Sequence, residues 1–231
     1  MSEPFGRGPV RVVHGTGLST PQQDMDLSTA GLAALGEPGA AARLRVHRPR
    51  PTAAFSRVDS LAPGFPVAQD AARAHGFAPV VRPAGGRLAA YHRGALVLDL
   101  VAPHAEARHH IRERFSDAAD ALAGGLRELG VDARVGPVPG EYCPGEFSVN
   151  AGGATKLVGT AQRLTRYGFL FSAVVLVADP EPVRAVLRDA YAALEFAWEP
   201  ATVGCVADAV PGVAVDDVAA VLVPRVLGLV G

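Results

Sequence analysis

The chain is poor in lysine, cysteine and aromatic residues. Lys156 is its single lysine, and every other basic residue among its 22 Lys and Arg residues is arginine. Aromatic residues make up 6% of the chain and the formal net charge is −1, so the composition provides neither base-stacking platforms nor a basic surface for nucleic acid. Two cysteines far apart in the sequence form neither a disulfide framework nor a metal-binding pattern. These absences predict a cytoplasmic protein with no metal site and no nucleic-acid partner.

Hydrophobic segments of the kind that target or anchor a protein to a membrane are also missing. The N-terminal sequence MSEPFGRGPVRVV lacks the apolar core of a signal peptide. The apolar C-terminal run DVAAVLVPRVLGLVG is too short to span a bilayer and contains Pro224 and Arg225. We therefore expect no membrane partner.

The apolar content, by contrast, is high enough for a sizeable core. Apolar residues make up 49% of the 231 residues, which is enough for one large domain. Residues 1–20 are rich in glycine and turn formers, and we expect them to form a flexible arm in front of a single domain over 21–231. Strands grouped in hairpins, with helices between the groups, predict an α+β fold built on a central, mostly antiparallel sheet flanked by helices.

Local patterns place the individual elements of this fold. Apolar periodicity and terminal glycines predict helices over 25–35, 64–76, 116–130 and 179–196, and one more near the C-terminus. Two short strands are expected within 42–57, separated by Pro49 and Pro51. The alternation over 146–179, interrupted by the turn AGGA, predicts a β-meander.

The first candidate site segment is RPAGGR, between two predicted strands. Gly85 and Gly86 allow close backbone approach to a ligand, and Arg82, Arg87 and the following His92 are candidates for binding an anionic or carbonyl-bearing group. An ordinary tight hairpin turn explains the same glycine pair. The segment is not a phosphate-binding loop, because it lacks the GK[ST] ending and the helix that should follow.

The second candidate is Lys156, which lies on a predicted strand just after a Gly-Gly turn. Its ammonium is a compact charge that can be aimed at one carbonyl or phosphoryl oxygen, whereas arginine is a planar fork. The alternative is a solvated strand lysine. The exclusive use of arginine elsewhere favours the functional interpretation.

The third candidate is Cys143 in EYCPGEFSVN. The following Pro-Gly places this cysteine in a turn rather than in the core, where structural cysteines are usually found. It is either an incidental loop cysteine or a nucleophile activated by the nearby positive charge of Lys156 or His92. We interpret Cys205 as a packing residue, and we interpret the charged run that starts at His109 as a solvated helix face or loop.

Two segments together resemble the superfamily of lipoate–protein ligases, octanoyltransferases and biotin–protein ligases. VVRPAGGRLAAYHRGALVLDLV resembles the family's Arg-x-x-Gly-Gly ligand loop, and FSVNAGGATKLVGTAQRLTRYGFLFSAVVLV resembles its lysine signature. The resemblance implies a biotin/lipoate ligase catalytic-domain fold, with a tunnel for a medium-length acyl chain beneath the Gly-Gly loop. It makes Lys156 the family's essential lysine, aimed at the acyl carbonyl or the acyl-adenylate phosphate. Further acyl-binding or substrate-binding positions that it implies are Ser148, Asn150, Gly159, Thr160 and Ala161.

The branch of the superfamily is indicated by the position of the cysteine. One octanoyltransferase branch has its nucleophile on the strand after the lysine motif, where this chain has RYGFLFSAVV, with Phe169 or a neighbouring residue in place of the cysteine. A second branch has it in a Cys-Pro-Gly loop upstream of the lysine, as Cys143 is here. The sequence departs from the family where Val81 precedes Arg82 and where Arg87 follows Gly86, so Arg87 is expected either to narrow the pocket or to replace a missing charge.

The resemblance therefore implies an octanoyl or lipoyl protein acyltransferase that works through a Cys143 thioester. It implies no cofactor beyond the acyl group, and its partners would be the glycine cleavage H protein and the lipoyl domains of 2-oxoacid dehydrogenases, with acyl carrier protein as a further candidate donor. The alternative is an ATP- and magnesium-dependent lipoate–protein ligase whose acyl-adenylate is held by Lys156, although we expect no C-terminal accessory domain. A non-catalytic acyl-binding or carrier-binding module ranks third.

Overall fold

A computed structural model describes residues 3–15 and 19–230 of the chain. Its strands come in groups of one to four, separated by helices. The strands are β1 (Val10–His14), β2 (Ala42–His47), β3 (Thr52–Phe55), β4 (Ala78–Val81), β5 (Ala89–Tyr91), β6 (Ala95–Pro103), β7 (Ala133–Val135), β8 (Val149–Ala151), β9 (Thr155–Leu164) and β10 (Gly168–Leu176). The helices are α1 (Pro21–Ala33), α2 (Phe65–Ala74), α3 (Ile111–Glu128), α4 (Glu181–Ala193), α5 (Val206–Ala209) and α6 (Val215–Leu227).

Seven strands form one large sheet in the order β1-β2-β6-β10-β9-β8-β7. Only β1 and β2 are parallel, and every other neighbouring pair in this sheet is antiparallel. A second sheet has the order β4-β3-β5. The predicted α+β class with a mostly antiparallel central sheet is thus confirmed, whereas the separate small sheet was not foreseen.

The core lies on both sides of the large sheet. The central strand β6 has the sequence ALVLDLVAP and is buried from Ala95 to Ala102, as expected for an apolar run between two neighbouring strands. Leucines and alanines of α3 pack with α6 against one face of the sheet. On the other side, α2 and α4 pack with the small sheet in a second apolar cluster.

The described part of residues 1–20, the segment expected to be a flexible arm, contains an edge strand and a buried aromatic residue. Val10–His14 forms the edge strand β1, which pairs in register with β2. Phe5 is buried, and its ring packs edge-to-face on Phe169 and Phe171 with centroid distances of 5.8 and 6.0 Å. Glycine and turn formers suggested a loose chain, but Phe5 and the two β1 valines Val10 and Val12 pack against the main core.

The predicted helix over 116–130 begins earlier, at Ile111. The charged run before it is not a solvated face throughout, because Arg114 is fully buried. The Arg114 guanidinium donates hydrogen bonds to the Gln162 side chain (2.8 Å) and to the carbonyl of Pro4 (3.0 Å), and lies 4.5 Å from the Phe169 ring centroid. Burial lowers the pKa of Arg114 to about 10. This arginine joins the N-terminal segment, α3 and the sheet.

No helix in the described parts of the chain is long and apolar enough to cross a membrane. The same residues contain no group of three or more His, Cys, Asp or Glu side chains placed to hold a metal ion.

Candidate active site

Two loops that are far apart in sequence meet above the large sheet. We call residues 82–88, between β4 and β5, the Gly-Gly loop, and residues 141–148, between β7 and β8, the Cys-Pro-Gly loop. Since β4 and β5 both flank β3, the Gly-Gly loop crosses the end of β3 and is not a tight hairpin turn. The alternative interpretation of the glycine pair as a simple hairpin is therefore wrong.

The thiol of Cys143 lies at the contact between these loops. Its Sγ accepts hydrogen bonds from the Arg87 backbone N–H (3.3 Å) and from Nη2 of Arg82 (3.4 Å). Both loops that meet at this point thus direct a hydrogen-bond donor at, or carry, the sulfur: the Gly-Gly loop provides the two donors and the Cys-Pro-Gly loop provides Cys143. Cys143 also has φ +41°, a left-handed conformation that is uncommon for a residue with a side chain.

Tyr191 of α4 holds the backbone of Cys143 in this conformation. The Tyr191 hydroxyl accepts a hydrogen bond from the Cys143 N–H (3.1 Å) and donates one to the Leu88 carbonyl (2.6 Å). Tyr191 is fully buried, and burial raises its pKa well above the ordinary value, so the phenol stays protonated and able to donate. One side chain thus links the Cys-Pro-Gly loop to the Gly-Gly loop.

Lys156, at the start of β9, lies beneath the Cys-Pro-Gly loop. It is 2% exposed, and its ammonium donates to the carbonyls of Cys143 (2.8 Å) and Tyr142 (3.2 Å). The carboxylate oxygen Oε2 of Glu141 lies 3.5 Å from the ammonium nitrogen. Burial lowers the pKa of Lys156, while the negative charges of Cys143 and Glu141 act in the opposite direction. The lysine is therefore central to the site, and its hydrogen bonds are made to the loop that carries the cysteine.

A cavity of about 530 Å³ extends from Cys143 and Lys156 over the sheet. Its floor is made by two cross-strand pairs of β9 and β10, Gly159 opposite Val174 and Ala161 opposite Ser172. Small residues on β9 leave open space where larger side chains would fill it. The volume lies within the range of small-molecule sites in proteins. Further lining residues are Ala89, Ala90, Tyr91, Phe115, Phe147 and Leu164.

Most of the residues predicted from the sequence line this cavity. They are Cys143, Lys156, Arg82, Gly85, Gly86, Ser148, Gly159, Thr160 and Ala161.

Three predicted residues do not line it, because other contacts hold their side chains. The Arg87 guanidinium pairs with buried Asp59 at 3.1 Å and lies 4.9 Å from the Phe196 ring centroid. Its side chain therefore neither narrows the cavity nor adds charge to it. Only the backbone N–H of Arg87 reaches the Cys143 sulfur. His92 is held by the carbonyl of Asp179 (2.8 Å) and by the N–H of Gly94 (3.0 Å), in the turn before β6.

Asn150 is the third of these residues. Its side chain accepts from the Gly153 N–H (2.8 Å) and donates to the Gly136 carbonyl (3.0 Å), which fixes the turn between β8 and β9.

Sequence reasoning missed Glu141, Tyr142, Tyr191 and Ser172. Glu141 stands two positions before Cys143, and that adjacency was its one available signal. Tyr191 lies on the apolar face of α4 and is indistinguishable by periodicity from a core residue.

A second cavity, of about 760 Å³, lies beside α6 and includes His14, His47, Arg48 and Arg93 in its lining. It is larger than the first, but no cysteine is among its described lining residues. We therefore take the cavity at Cys143 as the candidate active site for chemistry that uses a cysteine nucleophile.

The sequence matches a family of known proteins. Residues 21–226 match the family described as "Lipoyl protein ligase A/B catalytic domain". The chain belongs to this family. The resemblance inferred from the two sequence segments is thereby confirmed.

One curated relative is an octanoyl-[GcvH]:protein N-octanoyltransferase of Exiguobacterium sibiricum, 30% identical over 172 residues. That match covers 70% of this chain and 58% of the relative. A second relative of the same name, from Geobacillus kaustophilus, is 28% identical over 152 residues, which cover 66% of this chain and 53% of the relative. The matched part of the chain thus spans little more than half the length of these relatives.

Solved structures show the fold. A lipoate-protein ligase A bound with ATP superposes with a TM-score of 0.70 at 20% identity, covering 96% of this chain and 85% of that chain. A bi-partite lipoate protein ligase from Thermoplasma acidophilum superposes with a TM-score of 0.67 at 21% identity, covering 97% and 84%. The predicted lipoate ligase-like architecture is confirmed.

Proposed function

We propose that this protein is an acyltransferase of lipoate metabolism that moves an octanoyl or lipoyl group from one carrier protein to another through a thioester on Cys143. The observation that carries the proposal is the position of the Cys143 sulfur, which has two hydrogen-bond donors and opens into a largely apolar cavity. The relatives named octanoyl-[GcvH]:protein N-octanoyltransferase support the same reaction class. We infer an octanoylated carrier protein as donor and the lysine of a lipoyl domain as acceptor.

In the first step the Cys143 sulfur attacks the carbonyl carbon of the octanoyl amide on the donor. A C–S bond forms, the C–N bond breaks, and the thiol proton leaves with the donor's lysine amine. The donors on Arg82 and on the Arg87 backbone stabilise charge on sulfur before the attack. The acyl chain then lies over Gly159 and Ala161, where the floor of the cavity has room for it.

In the second step the acceptor's lysine amine attacks the thioester carbonyl. A C–N bond forms, the C–S bond breaks, and the amine proton returns to sulfur. The same two donors stabilise the departing thiolate, and Lys156 holds the carbonyl group of Cys143 and with it the position of the sulfur. A covalent intermediate lets one site serve two large carriers in turn, so the reaction proposed for the thiol requires neither ATP nor a metal ion.

The second candidate is an ATP-dependent lipoate–protein ligase. It is favoured by the similarity in fold to a ligase solved with ATP bound. In that reaction Lys156 would hold an acyl-adenylate, Mg²⁺ would accompany ATP, and the thiol of Cys143 would have no covalent role.

A transfer assay separates the two candidates. Purified protein is mixed with an octanoylated H-type carrier and an unmodified lipoyl domain, and separately with octanoate, ATP, Mg²⁺ and the lipoyl domain. A transferase octanoylates the lipoyl domain in the first mixture and loses this activity in Cys143→Ala. Cys205→Ala is the matched control, because Cys205 is buried away from the cavity and burial raises its pKa to about 11. Product in the ATP mixture alone, unchanged in Cys143→Ala, identifies a ligase.

A further inference from the structure

The Cys-Pro-Gly loop contains a buried carboxylate to which neither the sequence pattern nor the proposed reaction assigns a role. The side chain of Glu141 is 0% exposed. Its Oε1 accepts hydrogen bonds from the Gly145 N–H (2.9 Å) and the Ser148 hydroxyl (2.8 Å). One carboxylate oxygen therefore ties the first residue of the loop to its middle and to its last residue.

The other oxygen faces the lysine. Glu141 Oε2 has no hydrogen-bond partner among the described residues and lies 3.5 Å from the ammonium nitrogen of Lys156. That ammonium in turn donates to the carbonyls of Tyr142 and Cys143. The two side chains thus form a buried ion pair that is bonded to four other residues of the loop: Glu141 to Gly145 and Ser148, and Lys156 to Tyr142 and Cys143.

We propose that Glu141 is a positioning residue of this site, whose carboxylate provides the counter-charge of Lys156 and with it clamps the Cys-Pro-Gly loop so that the Cys143 sulfur faces the Gly-Gly loop. A buried ammonium without a carboxylate partner loses its proton readily, and a neutral amine binds carbonyl oxygens more weakly. A buried residue in a left-handed conformation persists only where its surroundings fix it. Only the expected effect on kcat rests on the acyl transfer proposed above.

The charges around Lys156 determine in which direction its pKa changes when Glu141 loses its charge. Glu141 and Cys143, both in the loop, favour the charged ammonium, while burial and the Arg82 guanidinium of the Gly-Gly loop disfavour it. Tyr142 contributes its ring, 4.9 Å from the ammonium, and a phenol whose pKa is raised by burial. Removing the charge of Glu141 therefore lowers the pKa of Lys156 further. The ammonium is then lost at a lower pH, and activity that depends on it is lost from the alkaline side.

The single lysine of the chain allows a direct test that needs no substrate. Protein labelled with lysine enriched in ¹³C at Cε gives one lysine side-chain signal, that of Lys156, and its chemical shift follows protonation. We expect the titration midpoint of Glu141→Gln to lie about one pH unit or more below that of the unmodified protein. Glu128→Gln is the matched control, because Glu128 also pairs with a cation, Arg225, but on the surface between α3 and α6. Equal midpoints in Glu141→Gln and the unmodified protein would overturn the proposal.

The kinetic arm uses the octanoyl transfer assay over a range of pH. For Glu141→Gln we expect kcat to fall at least tenfold and KM to change less than twofold. The pH at which kcat declines on the alkaline side should move to lower pH by as many units as the Lys156 titration midpoint does. A uniform loss without any movement of the pH profile would indicate a merely structural role and contradict the proposal. The NMR titration does not depend on the acyl-transfer reaction. If the proposed transferase function is wrong, the unmodified protein itself shows no transfer, and this result is distinct from the outcome for Glu141.

Glu141→Asp keeps the test decisive if the glutamine variant does not fold. Aspartate retains the charge but withdraws it by one methylene group. We expect the Lys156 titration midpoint of Glu141→Asp to lie below that of the unmodified protein, with a reduced kcat. Where the glutamine variant can also be measured, the aspartate midpoint should lie above the glutamine midpoint. If Glu141→Asp matches the unmodified protein in both midpoint and kcat, the clamp geometry is irrelevant and the proposal is wrong.

Discussion

The backbone N–H of Arg87 lies 3.3 Å from the Sγ of Cys143, although the two residues are 56 positions apart. This contact joins the Gly-Gly loop to the Cys-Pro-Gly loop at the sulfur itself. This contact is possible because the neighbouring residue, Gly86, has no side chain to keep the backbone away from the thiol. Gly86, the residue before Arg87, is therefore a position where an added side chain would disturb this contact.

Gly86→Ala should inactivate the thiol without unfolding the protein. Gly86 has φ +98°, and a Cβ there would lie 2.7 Å from Nη2 of Arg82 and 2.9 Å from the Cys143 sulfur. Strain and displacement of both groups should lower the rate of Cys143 acylation at least tenfold, which corresponds to about 1.4 kcal/mol or more. Gly76→Ala is the control, since Gly76 has φ +76° but open space around its Cβ position. Equal acylation rates in the two variants would show that the close approach at Gly86 is unimportant.

Tyr191→Phe should weaken both stability and transfer. The variant removes the acceptor of the Cys143 N–H and the donor to the Leu88 carbonyl, and leaves two buried polar groups without a partner. We expect the free energy of unfolding to fall by about 1–3 kcal/mol in a denaturant titration, and the transfer rate to fall as well. Tyr167→Phe, at a tyrosine that is 40% exposed, should change neither. A Tyr191→Phe protein with unchanged transfer would mean that the conformation of Cys143 does not depend on this hydroxyl.

Ala161→Leu should shorten the acyl chain that the site accepts. Ala161 lies on the cavity floor opposite Ser172, and a leucine side chain there would occupy space that we assign to the acyl chain. Transfer from an octanoylated donor should fall at least tenfold, while transfer from a butyrylated donor should be retained. Ala105→Leu, at an exposed position outside the cavity, is the control. If octanoyl and butyryl transfer fall equally, the chain does not lie over Ala161.

Phe5→Ala should destabilise the whole domain. Phe5 is buried against Phe169 and Phe171 of β10, so its removal leaves a cavity in the main core. The expected loss is about 3 kcal/mol in the free energy of unfolding, measured by denaturant titration. Val67→Ala, on an exposed face of α2, should cost less than about 0.5 kcal/mol. A loss for Phe5→Ala as small as that of Val67→Ala would indicate that the N-terminal segment is only loosely attached.

The sequence predicted the parts of the site that local patterns encode. The Gly-Gly pair, the cysteine before Pro-Gly and the isolated lysine are each visible within a few residues, and the alternation around them places Lys156 on its strand correctly. Most of the helices and the β-meander were predicted for the same reason, since apolar periodicity is a local property of the chain.

The parts that were missed depend on contacts between distant segments. Tyr191 reaches Leu88 across 103 positions, and no periodicity distinguishes it from an ordinary core tyrosine. His92 and Asn150 have residue types suited to binding, but backbone groups near them in space take up their hydrogen-bonding capacity. The side chain of Arg87 was assigned to the pocket because it stands beside the glycine pair, whereas buried Asp59 attracts it elsewhere.

The central claim is that Cys143 carries the acyl group, and intact-protein mass spectrometry tests it most directly. The protein is mixed with an octanoylated carrier, without acceptor and without ATP, and its mass is measured before and after hydroxylamine treatment. If Cys143 carries the acyl group, the mass increases by one octanoyl group that hydroxylamine removes, and this adduct is present in Cys205→Ala and absent in Cys143→Ala. An adduct that survives in Cys143→Ala, or octanoyl transfer to a lipoyl domain by the Cys143→Ala protein, would exclude Cys143 as the residue that carries the acyl group.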